Sequence, residues 1–286
     1  MINYIQSNFI KKIFTKFNLE KNIFYSKTLK KYEFYFKKKE KYELITTHKN
    51  NVILLFLPKL NIFRKFSVVS TGMKKIIAEH DGLNWYFKRR KIKDKKIIRK
   101  FYQINKKFAA LDLNKIEGKK LKSWDSINKN FSFLYSTYYH YKKIYPKKKL
   151  TNIHGDLTLD NIIFNNKKIN IIDWEFFHAK PKLWGYDLAY LFLSSISIPF
   201  IVKKKVTQNE LNLFKKLWTL LIKLKINKKI LYNPYFFFEN SINKDNVLKS
   251  SKKISKKKFF PFITPIKFKK VILNTIKEKK QIKNTA

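Results

Sequence analysis

Three side chains near the middle of the sequence have the types and spacing that phosphoryl transfer from ATP needs. Residues 154–161 read His-Gly-Asp-Leu-Thr-Leu-Asp-Asn, and residues 171–175 read Ile-Ile-Asp-Trp-Glu. Asp156 is a carboxylate able to orient an attacking hydroxyl and accept its proton, while Asn161 and Asp173 are oxygen donors able to hold magnesium against phosphates. Magnesium takes one or two carboxylates plus substrate phosphates rather than a full protein cage, so this short set is sufficient. Singly, each residue also suits an ordinary turn or strand end, with Gly155 supplying backbone freedom and Asp156 and Asp160 capping the chain. Their joint occurrence carries the reading. Glu175 belongs either to the outer sphere of the metal or to the surface.

The elements needed to position these groups are legible between them. Asn161–Phe164 and Ile169–Asp173 are rich in β-branched residues and flank the polar stretch 165–168, which predicts a β-hairpin. A turn centred near Asn166 and Lys167 sets Asn161 roughly opposite Asp173, where facing residues are about 5 Å apart. Asp156 precedes the hairpin, near the metal without ligating it.

On these residues, the stretch from His154 to about Leu193 resembles the catalytic core of the aminoglycoside phosphotransferase and choline kinase superfamily. These are protein-kinase-like small-molecule kinases, with His-Gly-Asp standing where protein kinases carry His-Arg-Asp. The resemblance implies that Asp156 is the catalytic base, Asn161 and Asp173 are magnesium ligands, and His154 supports the loop. It also implies that Asp187, in Asp-Leu-Ala after Pro181, is a buried structural anchor. ATP and Mg2+ are the implied cofactors, and a small molecule bearing a hydroxyl is the implied partner.

The remaining sequence is compatible with that frame. A chain of 286 residues can bury a large core. It lacks cysteine, which excludes disulfides and thiolate metal sites. Met1-Ile-Asn-Tyr shows no basic stretch followed by an apolar run, and Ala189–Val202 falls short of the roughly 20 residues a membrane span needs. A cytoplasmic enzyme without a membrane span is expected. The formal net charge of +46 is spread along the chain as lysine, alongside abundant Ile, Asn, Phe and Tyr. A-T-rich codons account for that pattern more simply than dedicated nucleic-acid binding, although nonspecific attraction to polyanions follows.

Runs at Tyr32–Phe36, Tyr42–Thr46, Val52–Phe56 and Ile62–Phe66 predict short strands. Residues 73–88 then switch to helical period, with Ile76, Glu79, Leu83 and Tyr86 on one face. A carboxylate on such a face calls for a cation, and Arg64 and Lys65 precede it. The pair resembles the kinase strand lysine and helix glutamate, and Lys65 with Glu79 is preferred because a compact ammonium suits phosphate contact. Two further strands, Lys96–Asn105 and Phe108–Leu113, lead to Gly118, which resembles the hinge between lobes. Helices are expected around 127–141, 183–196 and 208–226, the last with a Thr207-to-Glu210 capping box. In the kinases it resembles, the C-terminal helices shape the acceptor pocket, making Trp184, Trp218, Tyr232, Tyr235, Phe236 and Phe237 candidate walls. The expected fold is α+β and two-lobed, with a nucleotide-binding lobe over 1–117 and a catalytic, acceptor-binding lobe over 118–286. Two rival readings are a silent kinase-like binding module and a basic nucleic-acid-binding protein.

Overall fold

The computed structural model describes residues 29–36, 42–48, 52–91, 97–104, 107–165, 168–249 and 260–277. They fall into two compact units, one drawn from 1–76 and 98–115, the other from 77–97 and 116–286. The boundary between Lys115 and Ile116 lies beside Gly118.

The first unit is a five-stranded antiparallel sheet in the order β1-β2-β3-β5-β4, from β1 (Glu43–His48), β2 (Val52–Leu57), β3 (Ile62–Ser67), β4 (Ile98–Ile104) and β5 (Phe108–Asn114). Residues 32–36, expected as a strand, are instead part of helix α1 (29–36). The reason lies in the spacing of the rings. Tyr32 and Phe36 are one helical turn apart, stack at 5.0 Å and pack edge-on against Phe66, whereas Phe34, which a strand would have put on the same face, is 79% exposed. The core between α1 and the sheet joins Tyr32 to Ile53, Leu55, Ile62, Phe66 and Phe108. Helix α2 (Ser70–Arg89) follows β3 and runs on into the second unit.

The second unit is mainly helical. Helix α3 (Ile127–Ile144) starts at Ser126, whose Oγ accepts the Asn128 N–H. Two short strands, β6 (Lys119–Lys120) and β7 (Leu150–Thr151), precede the hairpin of β8 (Ile162–Asn165) and β9 (Lys168–Ile171). Strand β10 (Lys182–Leu183) pairs with β7 and leads into α4 (Tyr186–Lys203). Helix α5 (Gln208–Lys223) opens with the expected capping box and packs against α3 and α4. Helices α6 (Lys228–Tyr232), α7 (Pro234–Asn243), α8 (246–249), α9 (Phe260–Ile263) and α10 (Ile266–Lys277) complete the unit. Helix α4 is longer than the apolar run suggested and matches a membrane span in length and hydropathy, but 72% of it is buried within the protein. It is a core helix, and it supports the residues described next.

Candidate active site

The hairpin pairs Ile162 with Ile171, Ile163 with Asn170, Phe164 with Ile169 and Asn165 with Lys168. Continuing that register sets Asn161 against Ile172, whose N–H donates to the Asn161 carbonyl at 3.0 Å. Asp173 is therefore one residue beyond the partner of Asn161. It turns out of the ladder with φ of 65°, a left-handed conformation that Asp tolerates better than most residues.

The chain leading into Asp173 is pinned by side chains. His154 Nε2 faces the Ile172 carbonyl at 2.8 Å, so this nitrogen carries the proton, leaving Nδ1 to receive the Asp156 N–H at 3.4 Å. Trp174 donates Nε1–H to the Ile171 carbonyl at 3.0 Å and lies against His154, with ring centroids 4.8 Å apart. Gly155 has φ of 90°, and a Cβ there would lie 2.7 Å from Phe176 Cβ. Only glycine fits both demands.

Helix α4 holds the loop from behind. Asp187 accepts the His154 N–H at 2.7 Å and the Gly155 N–H at 3.0 Å, one on each carboxylate oxygen. Its full burial pushes its pKa up to about 6, and these two hydrogen bonds oppose that rise. Asp187 is the buried anchor expected of it. Three residues along the same helix, Tyr190 donates its hydroxyl to the Asp156 carboxylate. Sequence reasoning missed this tyrosine; the i, i+3 spacing from Asp187 was the signal that could have found it.

Asp156, Asn161, Asp173 and Glu175 come together. Asn161 Nδ2 donates to the Asp156 carbonyl at 2.8 Å, which leaves Oδ1 as the atom for a cation. Burial raises the Asp156 pKa to about 7, the charges of Asp173 and Glu175 add to the rise, and the Tyr190 hydrogen bond counteracts it. Crowded carboxylates of this kind are relieved by a divalent cation. Among the described residues no group of three or more His, Cys, Asp or Glu side chains could hold a metal. Asp173 and the Asn161 amide oxygen are two oxygen donors, fewer than a complete cation shell.

The remaining candidates distribute differently. Arg64 and Lys65 face opposite sides of β3. Arg64 is 2% exposed and holds Asp112 through two hydrogen bonds, Nε–Oδ1 at 2.5 Å and Nη2–Oδ2 at 2.7 Å, under the Phe36 ring. That bidentate pair removes Arg64 from any phosphate role. Lys65 is half-buried on the other face in the first unit, and Glu79 is 2% exposed in the second. Lys75, one turn before Glu79 on α2 and 8% exposed, is a second cation that the sequence reading passed over. Of the acceptor-wall candidates, Trp184, Trp218 and Tyr235 are buried, with Trp184 Nε1 donating to Tyr145 O, Trp218 Nε1 donating to Leu231 O and Tyr235 meeting Ser197. Tyr232 and Phe236 are exposed. An open cavity of about 750 Å³ is lined by Gly118, Lys119, Phe133 and Phe164 among others, and by none of the four site residues.

No protein-family model matches the chain, and no curated protein sequence does. Among solved structures it is similar to the GDP complex of wild-type aminoglycoside 2'-phosphotransferase-IIIa, at 10% identity and a TM-score of 0.38, over 82% of this chain and 97% of that one. It is also similar to a candidate aminoglycoside phosphotransferase from Ralstonia eutropha JMP134, at 10% identity and a TM-score of 0.32, over 67% of this chain and 80% of that one.

Proposed function

We propose that this chain is an ATP- and magnesium-dependent phosphotransferase acting on a hydroxyl of a small molecule, within the range of amino alcohols, amino sugars and sugars. The observation that carries the reading is the meeting of Asp156, from the loop that enters the hairpin, with Asn161 and Asp173 at the hairpin's open end, where Asn161 Nδ2 donates to the Asp156 carbonyl and the Asp173 charge raises the Asp156 pKa.

Magnesium, when bound, would neutralise charge on the phosphates. Asp173 and the Asn161 amide would hold it. Asp156 would orient the acceptor hydroxyl, with Tyr190 fixing the carboxylate's direction and Asp187 fixing the backbone that carries it. As the acceptor oxygen bonds to the γ-phosphorus, its proton passes to Asp156 and the bond from that phosphorus to the bridging oxygen of ADP breaks. Lys65 is the proposed phosphate-side cation and Glu79 its proposed partner. Their support is the opposite orientation of Arg64 and the burial of Glu79, which demands a positive neighbour.

The test is magnesium-dependent binding of ATP followed by turnover against amino alcohols and sugars. Binding without turnover of any acceptor or of water would favour the silent module. Oligonucleotide binding without magnesium–ATP binding would favour the nucleic-acid reading. Loss of ATP affinity in Lys65→Met but not in Lys75→Met would assign the phosphate contact to Lys65.

A further inference from the structure

We infer that the groove between α3 and α5 binds single-stranded nucleic acid. None of the four residues of the catalytic cluster lines this groove, so the inference stands whether or not the chain transfers phosphoryl groups.

The two helices meet at their N-terminal ends. There Asn209 Nδ2 donates to Asn128 Oδ1 at 3.1 Å, and Ser126 Oγ donates to Glu210 at 2.5 Å. Farther along, they enclose a cavity of about 290 Å³ lined by Phe131, Tyr135, Lys216, Thr219, Leu220 and Lys223. Phe131, Tyr135 and Tyr139 recur at every fourth position of α3, which sets them in one row with a rise of about 6 Å between neighbours. The Phe131 and Tyr135 rings are 24° from parallel with centroids 6.4 Å apart. Tyr139 meets Tyr135 edge-on at 5.1 Å, and their hydroxyls are 3.0 Å apart. Core packing accounts for Tyr138 and Tyr141 on the same helix, which are buried, but not for Tyr135 and Tyr139, which are 40% and 51% exposed.

Lysines face this row from α5. Lys216 and Lys223 are exposed and seven residues apart, about two turns. Lys223 is close enough for its charge to act on the Tyr135 hydroxyl. Glu210, at the end of the groove, spends its carboxylate on hydrogen bonds from Ser126 and Thr207. Rings on one wall and ammonium groups on the other match a single strand, whose bases stack on aromatic side chains while its phosphates meet lysines. A lipid surface takes an apolar helix face lying in its plane, whereas these rings are mostly phenolic and border a concavity. The formal charge of +46 draws polyanions to the whole molecule; the rings give this groove its preference among them.

Fluorescence anisotropy of labelled oligo-dT and oligo-rU tests this. Inorganic polyphosphate serves as a polyanion without rings, and vesicles of phosphatidylglycerol as an anionic membrane. The full chain should bind the single strands, more weakly as salt rises. Tyr135→Ala with Tyr139→Ala should weaken that binding at least about fivefold and leave polyphosphate binding unchanged. Tyr135→Phe with Tyr139→Phe keeps the rings and should bind like wild type. Lys216→Gln with Lys223→Gln should cost more affinity than Lys267→Gln with Lys270→Gln, an equal loss of exposed charge from α10. Unchanged affinity in the alanine pair, or equal losses from the two lysine pairs, would reduce the binding to general polyanion attraction and overturn the inference. Weakened vesicle binding in the alanine pair, with oligonucleotide binding intact, would overturn it in favour of a membrane.

Discussion

The hydroxyl of Tyr86 accepts the Ile171 N–H at 3.2 Å and donates its own proton to the Ile169 carbonyl at 3.1 Å, closing the free edge of strand β9 with a single side chain. His140 Nε2 lies 2.7 Å from the same oxygen. Burial, with Arg90 and Lys143 nearby, lowers the His140 pKa to about 3, so the ring stays neutral. Two residues beyond Ile171 comes Asp173, in its left-handed conformation. Tyr86 thus ties the later turns of α2 to the strand that leads into Asp173.

Tyr86→Phe removes that oxygen and leaves two buried backbone groups and the half-buried His140 ring without it. The variant should lose about 1–3 kcal/mol of stability in denaturant unfolding, the usual cost of stranding buried hydrogen-bonding groups. It should also need more magnesium for half-maximal turnover. Unchanged stability together with an unchanged magnesium requirement would show that β9 does not depend on Tyr86.

Asp173→Ala should weaken magnesium–ATP binding and turnover together. Asn161→Ala should do the same more mildly, since an amide oxygen carries no formal charge. Magnesium titrations of turnover compare them directly. Identical magnesium dependence in wild type and Asp173→Ala would remove Asp173 from the metal site.

The sign of the pH dependence follows from the Asp156 shift. Its carboxyl moves up from 3.8 to about 7, so the folded metal-free protein holds this proton more tightly than the unfolded chain does. The resulting stability is complete below about pH 4 and is lost as pH rises through about 7. Asp156→Asn does not titrate there, so its melting temperature should gain on wild type as pH rises from 4 to 7 without metal. Magnesium should narrow the gap. A difference between the two proteins that stays constant with pH would mean that Asp156 is not perturbed.

Gly155→Ala should destabilise the protein by about 2–4 kcal/mol, combining left-handed backbone strain with overpacking against Phe176. Thermal melts measure this. A variant as stable as wild type would mean that the loop can move away from Phe176.

What the sequence made legible was chiefly local. The 161–173 hairpin followed from β-branched runs around a polar turn, and the α5 capping box from Thr207 and Glu210, because neighbouring residues determine both. The α1 helix was misread because Tyr32, Phe34 and Phe36 alternate as a strand would; the deciding fact, packing of Tyr32 and Phe36 on Phe66, is a tertiary one. Tyr190 and the Tyr86 hydrogen bonds were hidden for the same reason. Tyr86 was placed on the buried face of α2, but its partners at 169–171 lie more than eighty residues away in the chain. The choice between Arg64 and Lys65 needed Asp112, whose position across from Arg64 depends on strand register.

The most direct measurement is magnesium-dependent ATP turnover by wild type and Asp156→Asn, with ATP affinity measured alongside. Loss of a general base lowers turnover by about 10²–10⁴-fold. The variant should show that loss while binding magnesium–ATP at least as well as wild type does. Near-normal turnover in Asp156→Asn, or wild-type protein that neither binds nor turns over ATP with magnesium, would contradict the account.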